Sequence, residues 1–165
     1  EMKSTGEVMG IDKDFGLAYA KSQISAGNSL PTRGLAFISL KDKHKNEGID
    51  LAKKLVELNF TLCGTEGTAD AIKKNGIKCK KVNKVSGGSP HIVDILNAKK
   101  IALVINTGGG KRAYRVQDST SLRRATLINK VPYCTNMSTA YACLEGIKSL
   151  KSKKMNVIAI QDIFH

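Results

Sequence analysis

A chain of 165 residues and 17.8 kDa suits one domain with a real core and is too short for two comfortable ones. Its hydrophobic content of 41% is ordinary for a globular protein, and no stretch nears the ~18–20 apolar residues that span a bilayer, which argues against a membrane protein. Twenty-seven Lys and Arg against 14 Asp and Glu leave a net charge of +13. With aromatics at 5% and lysines spread over helix surfaces (Lys53, Lys54, Lys73, Lys74, Lys148, Lys151), this reads as a solvated cationic surface that attracts small anions. A charge-driven nucleic-acid binder is the competing reading.

Residues 1–33 read as a lead-in. Its amino end carries no apolar core of a secretory signal, and Glu1 is not an initiator methionine, so a piece of a longer chain is expected. A helix is predicted over 14–26 with Phe15, Ala18 and Tyr19 to one side, then a linker through Gly27-Asn28-Ser29 and Pro31. Strand-like apolar runs follow at 34–40, 60–63, 79–82, 101–105 and 131–134. Between them lie helix-like stretches: 46–58, with Ile49, Ala52, Leu55 and Val56 at helical spacing; 68–74, stopped by Asn75-Gly76; and 91–98, with Pro90 in its first turn. Residues 107–117 read as a long loop, after which Asp118, Ser119 or Thr120 caps a helix whose inward stripe is Leu122, Ala125 and Ile128. The last predicted helix covers 138–151, with Tyr141, Leu144, Ile147 and Leu150 on one side, and a final apolar run lies at 155–160. Alternation of this kind predicts an α/β fold: a single three-layer sandwich with a five-stranded, mainly parallel sheet and helices on both faces.

In such a sheet the ends of the strands share one edge, where open α/β folds place their ligands. Four clusters fall there: 41–45, Gly64-Thr65-Glu66-Gly67-Thr68, Asn83-Lys84, and Asn106-Thr107 with the glycines that follow. They offer ammonium groups, hydroxyls, amides and glycines, with almost no carboxylates. The Gly64–Thr68 junction can cradle a phosphate on a helix amino end, or equally be a tight turn with a threonine N-cap. Lys45 and Lys84 are point charges suited to phosphate or plain surface lysines. The glycines before Lys111-Arg112 lack ATPase phosphate-loop spacing. His44, His91 and His165 sit in no nucleophile signature; His91 reads as structural, with Asp94 one helical turn along. Cys63, Cys79, Cys134 and Cys143 read as small buried hydrophobes in a reducing compartment, with no metal site and no disulfide framework.

Taken in order, Ser4-Thr5-Gly6-Glu7-Val8-Met9-Gly10, Gly64-Thr65-Glu66-Gly67-Thr68, Val82-Asn83-Lys84-Val85, Pro90-His91-Ile92-x-Asp94 and Val104-Ile105-Asn106-Thr107 resemble the carboxyl-terminal end of the large subunit of carbamoyl phosphate synthetase. The resemblance covers essentially the whole chain: 1–33 the tail of the preceding ATP-grasp region and linker, 34–165 the methylglyoxal-synthase-like allosteric domain. It implies a domain without catalysis or cofactor of its own, binding UMP or IMP. The implied parent is a cytoplasmic ligase using ATP, Mg2+ and K+ to make carbamoyl phosphate from glutamine and bicarbonate, for pyrimidine and arginine synthesis. Implied partners are the catalytic body of the same subunit and a glutaminase small subunit, with a homo-oligomer plausible and neither nucleic acid nor membrane expected. By position, the family's phosphate-binding residues fall on Lys45, Thr65, Thr68 and Lys84, with further contacts at Ser39, Asn106 and Thr107. Three departures stand out: Gly108 replaces a second threonine, the 108–117 loop is slightly longer, and Cys134 stands where many relatives have Asp near an ornithine site. The same resemblance offers methylglyoxal synthase itself as an alternative. Its Gly-Gly-Asp signature, however, falls on Gly87-Gly88-Ser89 and its histidine near Ser39, so its carboxylate base is missing.

Overall fold

The structure is a computed structural model. It describes the backbone of residues 8–108, 113–157 and 159–163, and the side chains of these except 113–117, 160 and 163. Residues Ser4 to Glu7 of the first motif, the run Gly109-Gly110-Lys111-Arg112 and His165 lie outside the described residues. The elements in order are α1 (Phe15–Ser25), β1 (Gly34–Ser39), α2 (Lys45–Glu57), β2 (Phe60–Gly64), α3 (Glu66–Lys74), β3 (Lys80–Lys81), α4 (Ile92–Asn97), β4 (Leu103–Asn106), α5 (Ala113–Ile128), β5 (Tyr133–Cys134) and α6 (Met137–Ser152). Short 3-10 turns occupy Asp42–His44, Val85–Gly87 and Ile160–Ile163.

The five strands pair in parallel in the order β3-β2-β1-β4-β5. Alternate residues of the central strands feed two separate cores, as the period of a strand requires. Ala36, Ile38, Leu62, Leu103 and Ile105 face one core, completed by Leu51, Leu55, Ile72, Leu144 and Ile147 from α2, α3 and α6. Phe37, Cys63 and Val104 face the other, completed by Ile92, Leu96, Leu122 and Ala125 from α4 and α5. Burial on both faces is why these strands read as unbroken apolar runs.

The lead-in helix α1 packs against α6 and delivers Ala20 to the first core. Its inward face differs from the expectation: Gly16, Leu17 and Ala20 are buried, while Phe15 is 64% exposed. The contact runs through small residues, since a methyl built on Gly16 would lie 2.3 Å from Ser149 Oγ and 2.5 Å from the Glu145 carbonyl. Close backbone approach thus outweighs the pull of one large aromatic.

Four further expectations are corrected. The helix predicted to start at 118–120 already runs from Ala113, so Asp118 sits inside it and caps nothing; Ala, Arg and Gln in the 113–117 stretch are strong helix formers that outweigh the preceding glycines. Its inward stripe is Leu122, Ala125 and Thr126, whose hydroxyl bonds the Arg123 carbonyl at 2.7 Å, and Ile128 is 70% exposed. Pro90 precedes α4 instead of opening it. His91 is the N-cap, its Nδ1 accepting the Asp94 N–H while Asp94 Oδ2 accepts the His91 N–H at 2.9 Å. That reciprocal box gives His91 the structural role read for it. The third strand keeps only Lys80 and Lys81 in the ladder, an exposed edge of the kind lysines protect.

Candidate functional site

One row of residues crosses the sheet just before the strands end: Lys81, Gly64, Ile38, Ile105 and Cys134, from β3 to β5. The next position carries polar groups after β2 (Thr65), on β1 (Ser39) and on β4 (Asn106), with Ser39 paired to Asn106. Between β1 and β4 the strand order reverses, and a cleft opens there. Gly64 is needed at the rim because a methyl on it would fall 2.5 Å from the Ile38 carbonyl, which leaves Thr65 free to lead directly into α3.

The cleft has two adjoining parts that share Leu40, Asp42, Thr65 and Lys84. The first, about 400 Å3, is lined by Lys45, Glu66, Gly67, Thr68, Val82, Asn83, Ser86 and Gly87 as well as the shared residues. The four residues on which the resemblance placed phosphate binding, Lys45, Thr65, Thr68 and Lys84, therefore border one space. Thr65 occupies the N-cap position of α3 but makes no capping bond. Its hydroxyl instead lies 3.4 Å from Ser39 Oγ and 3.3 Å from Thr68 Oγ1. The first N–H groups of α3, on Glu66 and Gly67, have no intrahelical acceptor, and both residues line the cleft. A methyl on Gly67 would touch Lys45 Nζ at 3.6 Å, so that ammonium stands over the same helix end. Two cations, hydroxyls and a helix amino terminus converge where a dianion gains most.

The second part, about 340 Å3, is lined by Phe37, Val85, Ile92 and Leu122 on its apolar side and by Ser39, Lys41, Asn106, Gly108, Asp118 and Ser119 on its polar side. Asn106 is fixed by two bonds: Nδ2 donates to the Tyr133 hydroxyl at 3.1 Å and Oδ1 accepts the Gly108 N–H at 3.0 Å. A Cβ at position 108 would stand 2.8 Å from Asn106 Oδ1, so glycine, where the resemblance led one to expect a second threonine, lets this amide close on the loop. Thr107 does not border either part. It is buried, and its Oγ1 accepts the Lys41 N–H at 3.2 Å, bracing the loop after β1.

The expectation of almost no carboxylates is corrected. Asp42, Glu66 and Asp118 all line the cleft, each already engaged. Asp42 Oδ1 pairs with Lys45 Nζ at 2.7 Å. Glu66 lies 3.5 Å from Lys81, whose closer partner Asp70, at 3.0 Å, holds its ammonium pKa above the usual range. Asp118 spans the cleft mouth, accepting the Ser86 N–H at 3.0 Å and the Ser86 hydroxyl at 2.8 Å. This bridge links α5 to the loop after β3 and had no local signature in the sequence. Lys84 has no carboxylate partner among the described residues. Ser89, where methylglyoxal synthase would need aspartate, borders neither part and donates to Asp94 at 2.8 Å. Among the described residues no group of three or more His, Cys, Asp and Glu is arranged to hold a metal, and no helix is long and apolar enough to cross a membrane.

Comparison with known proteins gives consistent matches. The chain is 46% identical over 164 residues to the carbamoyl phosphate synthase large chain of Mesorhizobium japonicum, covering 99% of this chain and 14% of that protein. It is 47% identical over 170 residues to the "Carbamoyl phosphate synthase large chain, C-terminal section" of Aquifex aeolicus, covering all of this chain and 31% of that protein. The chain thus spans under a third of the length of these relatives. Among solved structures, methylglyoxal synthase from Elizabethkingia anophelis superposes with a TM-score of 0.54 at 16% identity, over 82% of this chain and 91% of that one, a likeness of fold. The family model described as the MGS-like domain matches residues 47–135, which hold β2, β3, β4 and most of the cleft: the chain belongs to the MGS-like domain family.

Proposed function

We propose that the cleft binds a nucleoside monophosphate, UMP or IMP, and that this chain is the regulatory domain of a carbamoyl phosphate synthase large subunit. The observation that supports the reading is the junction of a cationic, hydroxyl-lined space with one that has an apolar wall facing a polar one, through shared Thr65 and Lys84. A phosphate suits the first and a base with its sugar suits the second, and both volumes fall in the range of small-molecule sites. The relatives' names supply carbamoyl phosphate synthase; the parent we infer is a cytoplasmic, glutamine-hydrolysing ligase using ATP, Mg2+ and K+. This chain docks on its catalytic body and acts beside a glutaminase subunit, serving pyrimidine and arginine synthesis. The domain needs no cofactor and catalyses nothing by itself; binding shifts the parent by favouring one docking geometry over another.

Calorimetry of this chain with UMP, IMP, inorganic phosphate and a short oligonucleotide tests the reading. Saturable binding of a mononucleotide, displaced by phosphate, is expected. Oligonucleotide binding that is indifferent to base and collapses with salt would favour the polyanion reading instead. Failure of UMP and IMP to bind at millimolar concentration would refute the proposal.

A further inference from the structure

Cys134 on β5 and Cys143 on α6 lie with their sulfurs 3.4 Å apart, and they are 1% and 2% exposed. The Tyr19 hydroxyl of α1 stands 3.4 Å from the Cys143 sulfur, so three elements meet at this point. All four cysteines of the chain are free, and this is the one sulfur–sulfur contact among them. A disulfide requires the two sulfurs to approach by only about 1.4 Å more. The two residues are separated by nine positions across the β5–α6 turn.

We propose that Cys134 and Cys143 are an oxidisable thiol pair that a hydroperoxide closes to a disulfide, pinning β5 to α6 and shifting the wall of the cleft. The Cys134 S–H donates to Cys143, which favours negative charge on Cys143 and pushes its pKa down while that of Cys134 rises. The Cys143 thiolate attacks the peroxide, breaking the O–O bond. One oxygen stays on sulfur as sulfenic acid, and the other leaves as hydroxide and takes the Cys134 proton. The Cys134 thiolate then attacks the sulfenic sulfur and breaks the S–O bond, and the second oxygen leaves as hydroxide that takes up the proton Cys143 released to solvent on becoming a thiolate, giving water. With hydrogen peroxide, two thiols become one disulfide and two waters, with two electrons passing from sulfur to peroxide.

The link to the cleft is the alternation of β5. Cys134 faces the core shared with α6, whereas Tyr133, its neighbour, faces the other core and receives the Asn106 side-chain N–H at 3.1 Å. Drawing Cys134 toward α6 pulls on that bond, and Asn106 lines the cleft. This inference stands on the thiol geometry and does not depend on which ligand the cleft takes.

The test treats the folded, reduced chain with hydrogen peroxide, quenches with catalase, alkylates in denaturant and digests with trypsin. Residues 131–148 form one tryptic peptide holding both cysteines, with no Lys or Arg before Lys148. The expected product is that peptide without alkylation and about 2 Da lighter, through loss of two hydrogens. Cys63 and Cys79 remain fully alkylated, and the Asn106 side-chain amide resonance moves in parallel with cross-linking. In Cys134→Ser, oxidation stops at a Cys143 sulfenic acid that dimedone captures. Full alkylation of 131–148 after treatment, or disulfides to Cys63 or Cys79 in equal yield, would overturn the proposal. A cross-link that leaves the Asn106 resonance in place would overturn the coupling to the cleft.

Discussion

Replacing Thr68 by Val removes one oxygen and keeps the shape of the side chain. That oxygen accepts the Leu40 N–H at 3.0 Å and the Thr65 hydroxyl at 3.3 Å. At 2% exposure that side chain is buried, although Thr68 and Leu40 both border the cleft. Valine strands the Leu40 N–H at the point where β1 turns into the cleft. A buried donor left without its acceptor costs ~1–3 kcal/mol, and because Leu40 is only half-buried the loss belongs in the lower part of that range, ~1.5 kcal/mol. With a urea slope of roughly 2 kcal/mol per molar for a domain of this size, the unfolding midpoint falls by about 0.7 M at unchanged slope. Hydrogen exchange at the Leu40 amide accelerates in the same variant. A midpoint within about 0.2 M of the parent, with Leu40 still protected, would show that the Thr68 hydroxyl does not hold this loop.

Lys84→Met should behave in the opposite way, because Lys84 is exposed and has no carboxylate partner among the described residues. The urea midpoint stays in place while mononucleotide affinity falls by at least ~10-fold, the loss of one charge-assisted contact, as calorimetry reads directly. Asp42→Asn releases Lys45 from its 2.7 Å pair, so phosphate binds up to ~5-fold more tightly, within the worth of an exposed ion pair; weaker binding would mean that Asp42 assists the anion. Asp14, the N-cap of α1, has its pKa held well below the usual carboxylate range by Lys153 first, then Ser149 and the Leu17 N–H. Its stabilising share is complete above the unfolded carboxyl pKa and drains as pH falls toward the depressed one. In Asp14→Asn, where the cap survives and the charge does not, urea midpoints should change less between about pH 4 and pH 2 than in the parent.

Continuous apolar runs such as those holding Phe37 to Ile38 and Val104 to Ile105 can be read because strands buried on both faces have nowhere to place a polar residue. Once the runs are parallel strands, their ends must share an edge, and that inference brought Lys45, Thr65, Thr68 and Lys84 to one space. What stayed hidden depends on pairings distant in sequence. Asp118 looked like a helix cap because its chemistry suits one, but its carboxylate is spent on Ser86, 32 positions away. Asp42 and Glu66 belong to clusters whose sequence reads as almost free of carboxylates, since nothing local shows a carboxylate leaning on a cation of the same cleft. Thr107 shared its neighbours' polarity, yet its hydroxyl turns inward to Lys41. Phe15 drew the face of α1 toward itself, although helix contact distance is set by the smallest residues, here Gly16 and Gly146.

These pairings also bear on how a ligand could act beyond the cleft. The loop after β1 is held at Leu40 by Thr68 and at Lys41 by Thr107, and it runs through the Asp42–His44 turn into Lys45, the first residue of α2. The mouth is held by Asp118 on Ser86. A phosphate in the cationic part draws on the same Lys45 that Asp42 now holds, and on the Thr65 hydroxyl that now leans on Ser39 and Thr68. On the proposed reading, binding would exchange bonds that position loops for bonds to the ligand, so the loops' resting places would differ between the empty and filled states. Only a difference of that kind gives a bound anion leverage over a neighbouring domain, since a ligand with equal affinity for both arrangements moves neither. The loop from Leu40 to Lys45 is where that leverage would be applied, because its cleft lysine, Lys45, is itself the first residue of a core helix.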